Sequence, residues 1–340
     1  MHPIPQTKKL FLCTTLLLCM ILSCSGCTSN ASPVTKTGFY FDTVITVTLY
    51  DDNRSSLLDD CFSMAETYEQ LFSATVKDSD ISKINRAEGR RVTVSDETVA
   101  LLEKALEYCE LSGGKFDITI GKLSSLWNFS ENDGTLPDPS ALSSALSTVD
   151  YRNVIISGNR VQLKNPDAAI DMGGIAKGYI ADRMKEYLNE NGVSEGTINL
   201  GGNVLCLGKK KDGSPYRIGI QKPFDTQGTA AAVVEVQNET VVSSGVYERF
   251  VTIDNTLYHH ILNPATGYPY ENDLLGVTVV CNNSADGDAL STVCFSLGLN
   301  EGMKLIEDLP DTEAVFITKD NQLHCSGGIG TVIPFTEMTD

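Results

Sequence analysis

The stretch DMGGIAKGYIAD, residues 171–182, places two adjacent glycines between an acid and a lysine, and then a helical pattern begins. Gly173 and Gly174 can take positive φ and let a ligand approach the backbone closely. The helix expected from about Ile175 to Asn191, stopped by Gly192, would aim the free N–H groups of its first turn at an anion. Lys177 sits inside that turn, where a cation opposes the helix dipole, so its presence is easiest to understand beside a phosphate or carboxylate. The spacing is neither a dinucleotide-binding fingerprint nor a P-loop, and an ordinary strand-to-helix turn would use the same residues.

Outward from this turn, FDTVITVTLYD (41–51) alternates as a strand. Leu57 to Phe72 carries apolar residues at helical spacing, and Ser95 is a natural N-cap for a helix to Leu111 closed by Gly113-Gly114. Gly158-Asn159 between RNVIIS and RVQLKN predicts a hairpin. Downstream, glycine-broken strands run to about residue 253, a helix is expected over Asp288–Leu299, and the pattern from Ala314 is strand-like again. Helices and strands intermix without a β-α-β rhythm, which predicts an α+β fold: two sheet-containing lobes with a cleft between them.

The chain has 340 residues, 41% hydrophobic and 21% charged, as an ordinary globular protein does. Its formal charge is −18, from 26 basic against 44 acidic residues, which excludes a basic face for nucleic acid. Lys8-Lys9 and the apolar run LFLCTTLLLCMILSC form the n- and h-regions of a secretory signal, too short for a comfortable membrane span. Ile21-Leu22-Ser23-Cys24 resembles a bacterial lipobox, with Cys27 as the alternative lipidation site and an ordinary cleaved signal as the other reading. The expected division is a signal over 1–23, a lipid-anchored tether over 24–37 and a folded part over 38–340. The lipid would hold the protein on the extracytoplasmic side of a bacterial cell membrane. Cys61, Cys109, Cys206, Cys281, Cys294 and Cys325 show no C-x-x-C pair and read mostly as buried small hydrophobes, with disulfides left open.

Three further segments carry candidate chemistry. A second glycine pair in NLGGNV (199–204) would pack two backbones closely or admit a flat ligand. YHHILNPATGYP (258–269) holds two of the four histidines before a Pro-Gly turn. Adjacent strand residues face opposite ways, so one at most lines a site: His259 reads as a surface residue, and His260 is the proton-carrier candidate. Asp288 and Thr292 lie four apart on the expected helix, hence on one face, and are hard oxygen donors suited to Mg²⁺. Asp288 could equally complement that helix's N-terminus.

Taken in order behind the lipoprotein-like signal, DMGGIAKGYIAD, INLGGNV, SGVYERF, HILNPATGYP and DALST resemble motifs of the ApbE-type FAD:protein FMN transferases. The resemblance covers nearly all of the chain after the tether. It implies a flavin transferase domain over 38–340 with a nucleotide cleft. That domain would be a Mg²⁺-dependent enzyme, with Mn²⁺ as the alternative ion. It would take FAD, move its FMN half to a Thr or Ser hydroxyl of an acceptor flavoprotein and release AMP. The acceptor would be an FMN-binding domain of an extracytoplasmic redox or respiratory-complex subunit. Carried over by position, Asp171 and Lys177 match flavin-nucleotide contacts. Gly174 matches a carbonyl donor to the metal, with Asp288 and Thr292 as side-chain ligands. His260, followed by Ile261 in the cofactor motif, matches a candidate general base. Trp127, Asn128 and Phe129 match a segment walling the FAD, and Phe41 and Thr75 stand where relatives carry a methionine and a tyrosine near it.

The pattern departs from the family at Asn263, Ala265, Val246 and Ala285, the last standing where some members place a second metal-ligating acid, while Asp286 would point elsewhere. None of these touches Asp171, Lys177, Asp288, Thr292 or His260. An FAD pyrophosphatase releasing FMN and AMP would use the same Mg²⁺ and phosphate groups; a non-enzymatic flavin-binding lipoprotein is the other alternative, and Asp288 and Thr292 argue against it.

Overall fold

An eight-stranded sheet forms the centre of the protein. In spatial order it runs β1 (Val34–Tyr40), β2 (Thr43–Leu49), β6 (Gly196–Leu200), β7 (Asn203–Leu207), β10 (Thr240–Gly245), β13 (Leu274–Cys281), β14 (Glu313–Thr318) and β15 (Leu323–Cys325), numbered by chain position. Each neighbouring pair is antiparallel, which explains the missing β-α-β rhythm. Smaller sheets join β3 (Val92–Thr93) and β4 (Val154–Ser157) to β5 (Arg160–Leu163), and pair β11 (Phe250–Ile253) with β12 (Thr256–His259). Helices and sheets are thus mixed, as the α+β reading expects.

The computed structural model describes residues 33–338 except 51–53 and 133, and the chain from Pro33 onward packs as one compact unit. The signal expected over 1–23 and both lipidation candidates, Cys24 and Cys27, lie outside the described residues. Most of the tether expected over 24–37 does too, but Val34–Thr37 already belongs to β1, paired with β2. Among the described residues no helix is long and apolar enough to cross a membrane.

Both faces of the central sheet are covered. Val277, Val279 and Phe316 pack with Leu290, Cys294 and Phe295 of the helix Ser284–Leu297. Val280, Val315 and Ile317 face the other way, onto Ile220 and Val234 of a three-stranded sheet of β8 (Tyr216–Gln221), β9 (Ala230–Val236) and β16 (Phe335–Glu337). A strand buried on both faces reads as a continuous apolar run, as LLGVTVVC does. The largest core lies between β2, β6 and β7 and the helices Ser55–Phe72, Asp96–Leu111 and Ala176–Glu190. The described cysteines are all free thiols, buried except for Cys325.

One expectation needs correction. The helix placed at Asp288–Leu299 begins four residues earlier, at Ser284, and ends at Leu297 before Gly298. Gly287 makes that first turn look like a loop, yet it is needed there: a Cβ would press into Val242 and Cys281. Asp288 therefore sits in the second turn and does not cap the helix. Its N-terminus is capped from the neighbouring helix, where Asp182 accepts the Ser284 and Ala285 N–H groups at 2.8 Å each. The glycine pair 201–202 is the two-residue turn joining β6 to β7, with φ of 60° and 94°.

The helices Ala176–Glu190 and Ser284–Leu297 meet at Gly178, where a Cβ would collide with the Ser284 carbonyl. Gly178→Ala should gain helix propensity and still destabilise the protein by about 1–3 kcal/mol, the usual cost of overpacking. A urea midpoint equal to wild type would contradict this.

Candidate active site

The DMGGIAKGYIAD turn is held before any ligand arrives. Asn85 clamps the backbone of Ile170, its Nδ2 donating to the Ile170 carbonyl at 2.9 Å and its Oδ1 accepting the Ile170 N–H at 2.7 Å. The Asp171 N–H donates to the Ile118 carbonyl, and Asp171 Oδ1 accepts the Gly173 N–H, both at 2.8 Å. Neither Gly173 nor Gly174 takes a positive φ; glycine is needed at 174 for space, because a Cβ there would strike the Phe116 ring. Nothing in the sequence singled out Asn85, because its partners are main-chain atoms far along the chain.

The two helices then bring the central groups together. Asp288, almost fully buried, accepts the Gly178 N–H on Oδ2 at 2.9 Å and lies 3.4 Å from Lys177 Nζ through Oδ1. Lys177 Nζ also donates to the Gly173 carbonyl at 3.1 Å. Gly178 is the third residue of its helix, so its N–H has no partner within the helix, and the Asp288 carboxylate supplies one. Thr292 follows one turn along the same helix, its hydroxyl 3.2 Å from Ser244 Oγ at the end of β10. Ala285 is buried under the Asp182 cap, and Asp286 turns away to Lys104 and Tyr108, as expected.

These residues fit a hard divalent cation. Among the described residues no three His, Cys, Asp or Glu side chains converge on a metal cluster. The available donors are one carboxylate, one hydroxyl and the Gly174 carbonyl just ahead of the helix N-cap, an all-oxygen set suited to Mg²⁺, which keeps several waters. Lys177 beside Asp288 supplies positive charge that a buried carboxylate needs.

Past β10 the chain turns through Tyr247, Glu248 and Arg249. Glu248 keeps a water-accessible face, yet crowding by protein raises its carboxyl to about 7, against the opposing pull of Lys177. The Arg249 carbonyl receives the His260 N–H at 3.0 Å and His260 Nδ1 at 3.2 Å. A carbonyl only accepts, so Nδ1 carries the proton and Nε2 is left as an acceptor. Desolvation, helped by the Arg249 charge, lowers the His260 pKa to about 3, and Lys177 contributes in the same direction. The imidazole is neutral at pH 7. Glu248 and Arg249 lie in SGVYERF, and charged residues directly after a strand were the signal that could have marked them.

His259 is a correction. It is buried, edge-on to Phe295, with Nε2 donating to the Tyr270 carbonyl at 3.0 Å and Nδ1 accepting the Ile261 N–H at 3.3 Å. Desolvation brings its pKa to about 4, and its role is structural. Surface placement failed because Phe295 of the helix Ser284–Leu297 packs against the ring.

The remaining candidates form two outlying groups. Trp127 is fully buried, stacked on Phe129 at 5.4 Å, with Nε1 donating to the Gly267 carbonyl at 2.8 Å. It therefore anchors the turn after His260 and offers no face to a ligand; Asn128 is exposed, Phe129 half-buried and Ile261 buried. Phe41, in the left-handed turn between β1 and β2, donates its N–H to Glu69 Oε1 at 2.7 Å in the last helical turn before Phe72. Thr75 follows that helix, its hydroxyl 3.0 Å from Ser73 Oγ. Arg249 links this side to the centre by donating to the Asp42 carbonyl at 3.3 Å.

Comparison with known proteins now bears on the site. A family model described as the ApbE family matches residues 41–316. The chain is 33% identical over 333 residues to the FAD:protein FMN transferase of Treponema pallidum, covering 92% of each. It is 34% identical over 282 residues to one from Klebsiella pneumoniae, covering 82% of this chain and 87% of that one. The solved ApbE protein of Thermotoga maritima superposes with a TM-score of 0.80 at 29% identity, over 87% of this chain and 97% of that one. The flavin transferase ApbE of Vibrio cholerae gives 0.78 at 25%, over 87% and 98%. With the order of its motifs, the antiparallel sheet and the match over most of its length in agreement, this chain belongs to the ApbE family.

Proposed function

We propose that this protein is an FAD:protein FMN transferase that moves the FMN half of FAD to a Thr or Ser hydroxyl of an acceptor flavoprotein and releases AMP. The observation that carries the reading is the junction of Lys177, Asp288 and the Gly178 N–H, within electrostatic reach of a neutral His260. In the same reading the reaction is Mg²⁺-dependent and takes place on the extracytoplasmic face of a bacterial membrane, with lipid on Cys24 or Cys27.

The chemistry follows from the placement of these groups. Asp288, Thr292 and the Gly174 carbonyl would hold Mg²⁺, which when bound supplies positive charge to the pyrophosphate oxygens. Lys177 opposes the charge that builds on the phosphoryl group and on departing AMP. His260 orients the incoming hydroxyl through Nε2 and takes its proton. The acceptor oxygen then bonds to the phosphorus of the FMN half, while the bond to the AMP phosphate breaks and AMP leaves with the bridging oxygen. A bound pyrophosphate answers the Arg249 and Lys177 charges that depress the imidazole, so His260 becomes more basic when substrate is present.

The direct test incubates the purified protein with FAD, Mg²⁺ and an FMN-binding domain. Covalent flavin on the acceptor is expected; free FMN alone would mean a pyrophosphatase, and unchanged FAD a carrier. His260→Ala should slow transfer roughly 10²–10⁴-fold, the usual contribution of a positioned base, with FAD affinity retained. In the wild type, kcat should fall as pH drops through the substrate-bound pKa of His260 and stay level above it, because the neutral imidazole is the active form. Asp288→Asn keeps an acceptor for the Gly178 N–H but removes the charge, so it should fold normally and lose Mg²⁺ binding in calorimetric titration along with transfer. Full turnover of Asp288→Asn at low Mg²⁺ would remove Asp288 from the metal site.

A further inference from the structure

Large apolar side chains exposed to water gather on the segments around His260. Phe250 is 42% exposed and directly follows Arg249, whose carbonyl orients the histidine. It also stands opposite His259 in the β11–β12 ladder. Tyr268 is 37% exposed and closes the turn that leaves the same strand, its carbonyl accepting the Asn263 N–H at 2.8 Å. Phe224, 51% exposed, comes from the loop between β8 and β9 and lies edge-on to Phe250 at 5.7 Å and to Tyr247 at 6.2 Å.

Phe224 is held outward at a cost. Its φ of 59° lies in the left-handed region, which bulky side chains avoid. Two hydrogen bonds tie the ends of its loop together: the Lys222 N–H donates to the Thr229 carbonyl and the Gly228 N–H to Gln221 Oε1, both at 2.8 Å. A strained, exposed aromatic fixed by its surroundings is a feature that points to function, and exposed aromatic clusters mark protein contacts.

We propose that Phe224, Phe250 and Tyr268 are the surface on which the acceptor flavoprotein docks, an assignment that rests on the transferase reading above. That reaction brings a hydroxyl carried by a folded domain to His260 Nε2. The domain must then rest beside the segments flanking His260, and exposed rings stand on those segments and on the loop whose Phe224 meets Phe250. The fitting partner is a domain whose acceptor Thr or Ser is bordered by apolar residues. Desolvating aromatic rings against such a surface provides contact area at small entropic cost, while the charged groups within the site remain for the nucleotide.

The test uses the double variant Phe224→Asn, Phe250→Thr, chosen because asparagine tolerates positive φ and threonine suits a strand. The probe is a purified FMN-binding domain carrying its acceptor threonine, with FAD affinity measured separately by flavin fluorescence. The expected result is a KM for the acceptor raised roughly tenfold or more, the size of effect produced by losing interfacial aromatic anchors. At saturating acceptor kcat should be retained, and FAD affinity and thermal midpoint should match wild type. Lost FAD affinity would make the rings a flavin platform and overturn the proposal, as would an unchanged acceptor KM. A wild-type protein that leaves the acceptor unmodified while binding FAD would overturn the transferase reading, and the docking surface with it.

Discussion

The site depends on how closely two helices approach at one glycine. Gly178 has no side chain because the Ser284 carbonyl takes that space, and this proximity lets its N–H reach the Asp288 carboxylate at 2.9 Å. A carboxylate so deeply buried would be costly alone. Here it receives a nearby ammonium and a first-turn backbone N–H that has no partner within its own helix. Packing and electrostatics therefore come from a single contact. Asp182 secures it from the same helix by capping Ser284 and Ala285, so the register between the helices is fixed on both sides of Gly178.

Two neighbouring histidines show how position divides labour. His259 spends both ring nitrogens on main-chain partners and packs on Phe295, so it has no proton chemistry left. His260 uses only Nδ1, on the Arg249 carbonyl, and keeps Nε2. Both are neutral, but only one has an acceptor to offer. The Arg249 main chain thus sets the tautomer of the histidine, while its side chain reaches the turn that holds Phe41. The expected flavin-side residues and the expected base are in this way connected through one residue that the motif pattern contained but did not distinguish.

Legibility in the sequence varied with the range of the interaction. Helix Asp96–Leu111, the β4–β5 hairpin and the helix after the double glycine were readable because caps, turns and periodicity act within a few residues. The start of helix Ser284–Leu297 was not, since Gly287 is a poor helix former locally and is required only by the strand residues against it. Trp127 reads as a ligand wall by position and proves to be a buried strut, because its partners, Gly267 and Tyr258, lie more than a hundred residues away.

By itself, the sequence determined the mixed helix-and-strand class, the order of motifs that marks the family, and the residue types able to meet a phosphate and a hard cation. Those are properties of local pattern and side-chain chemistry. Only the tertiary structure decided that Lys177 and Asp288 face each other, that His260 rather than His259 keeps a free nitrogen, and that aromatic rings stand exposed around it. Such outcomes depend on which distant backbone groups each side chain meets, and that is fixed by packing between elements far apart in the chain.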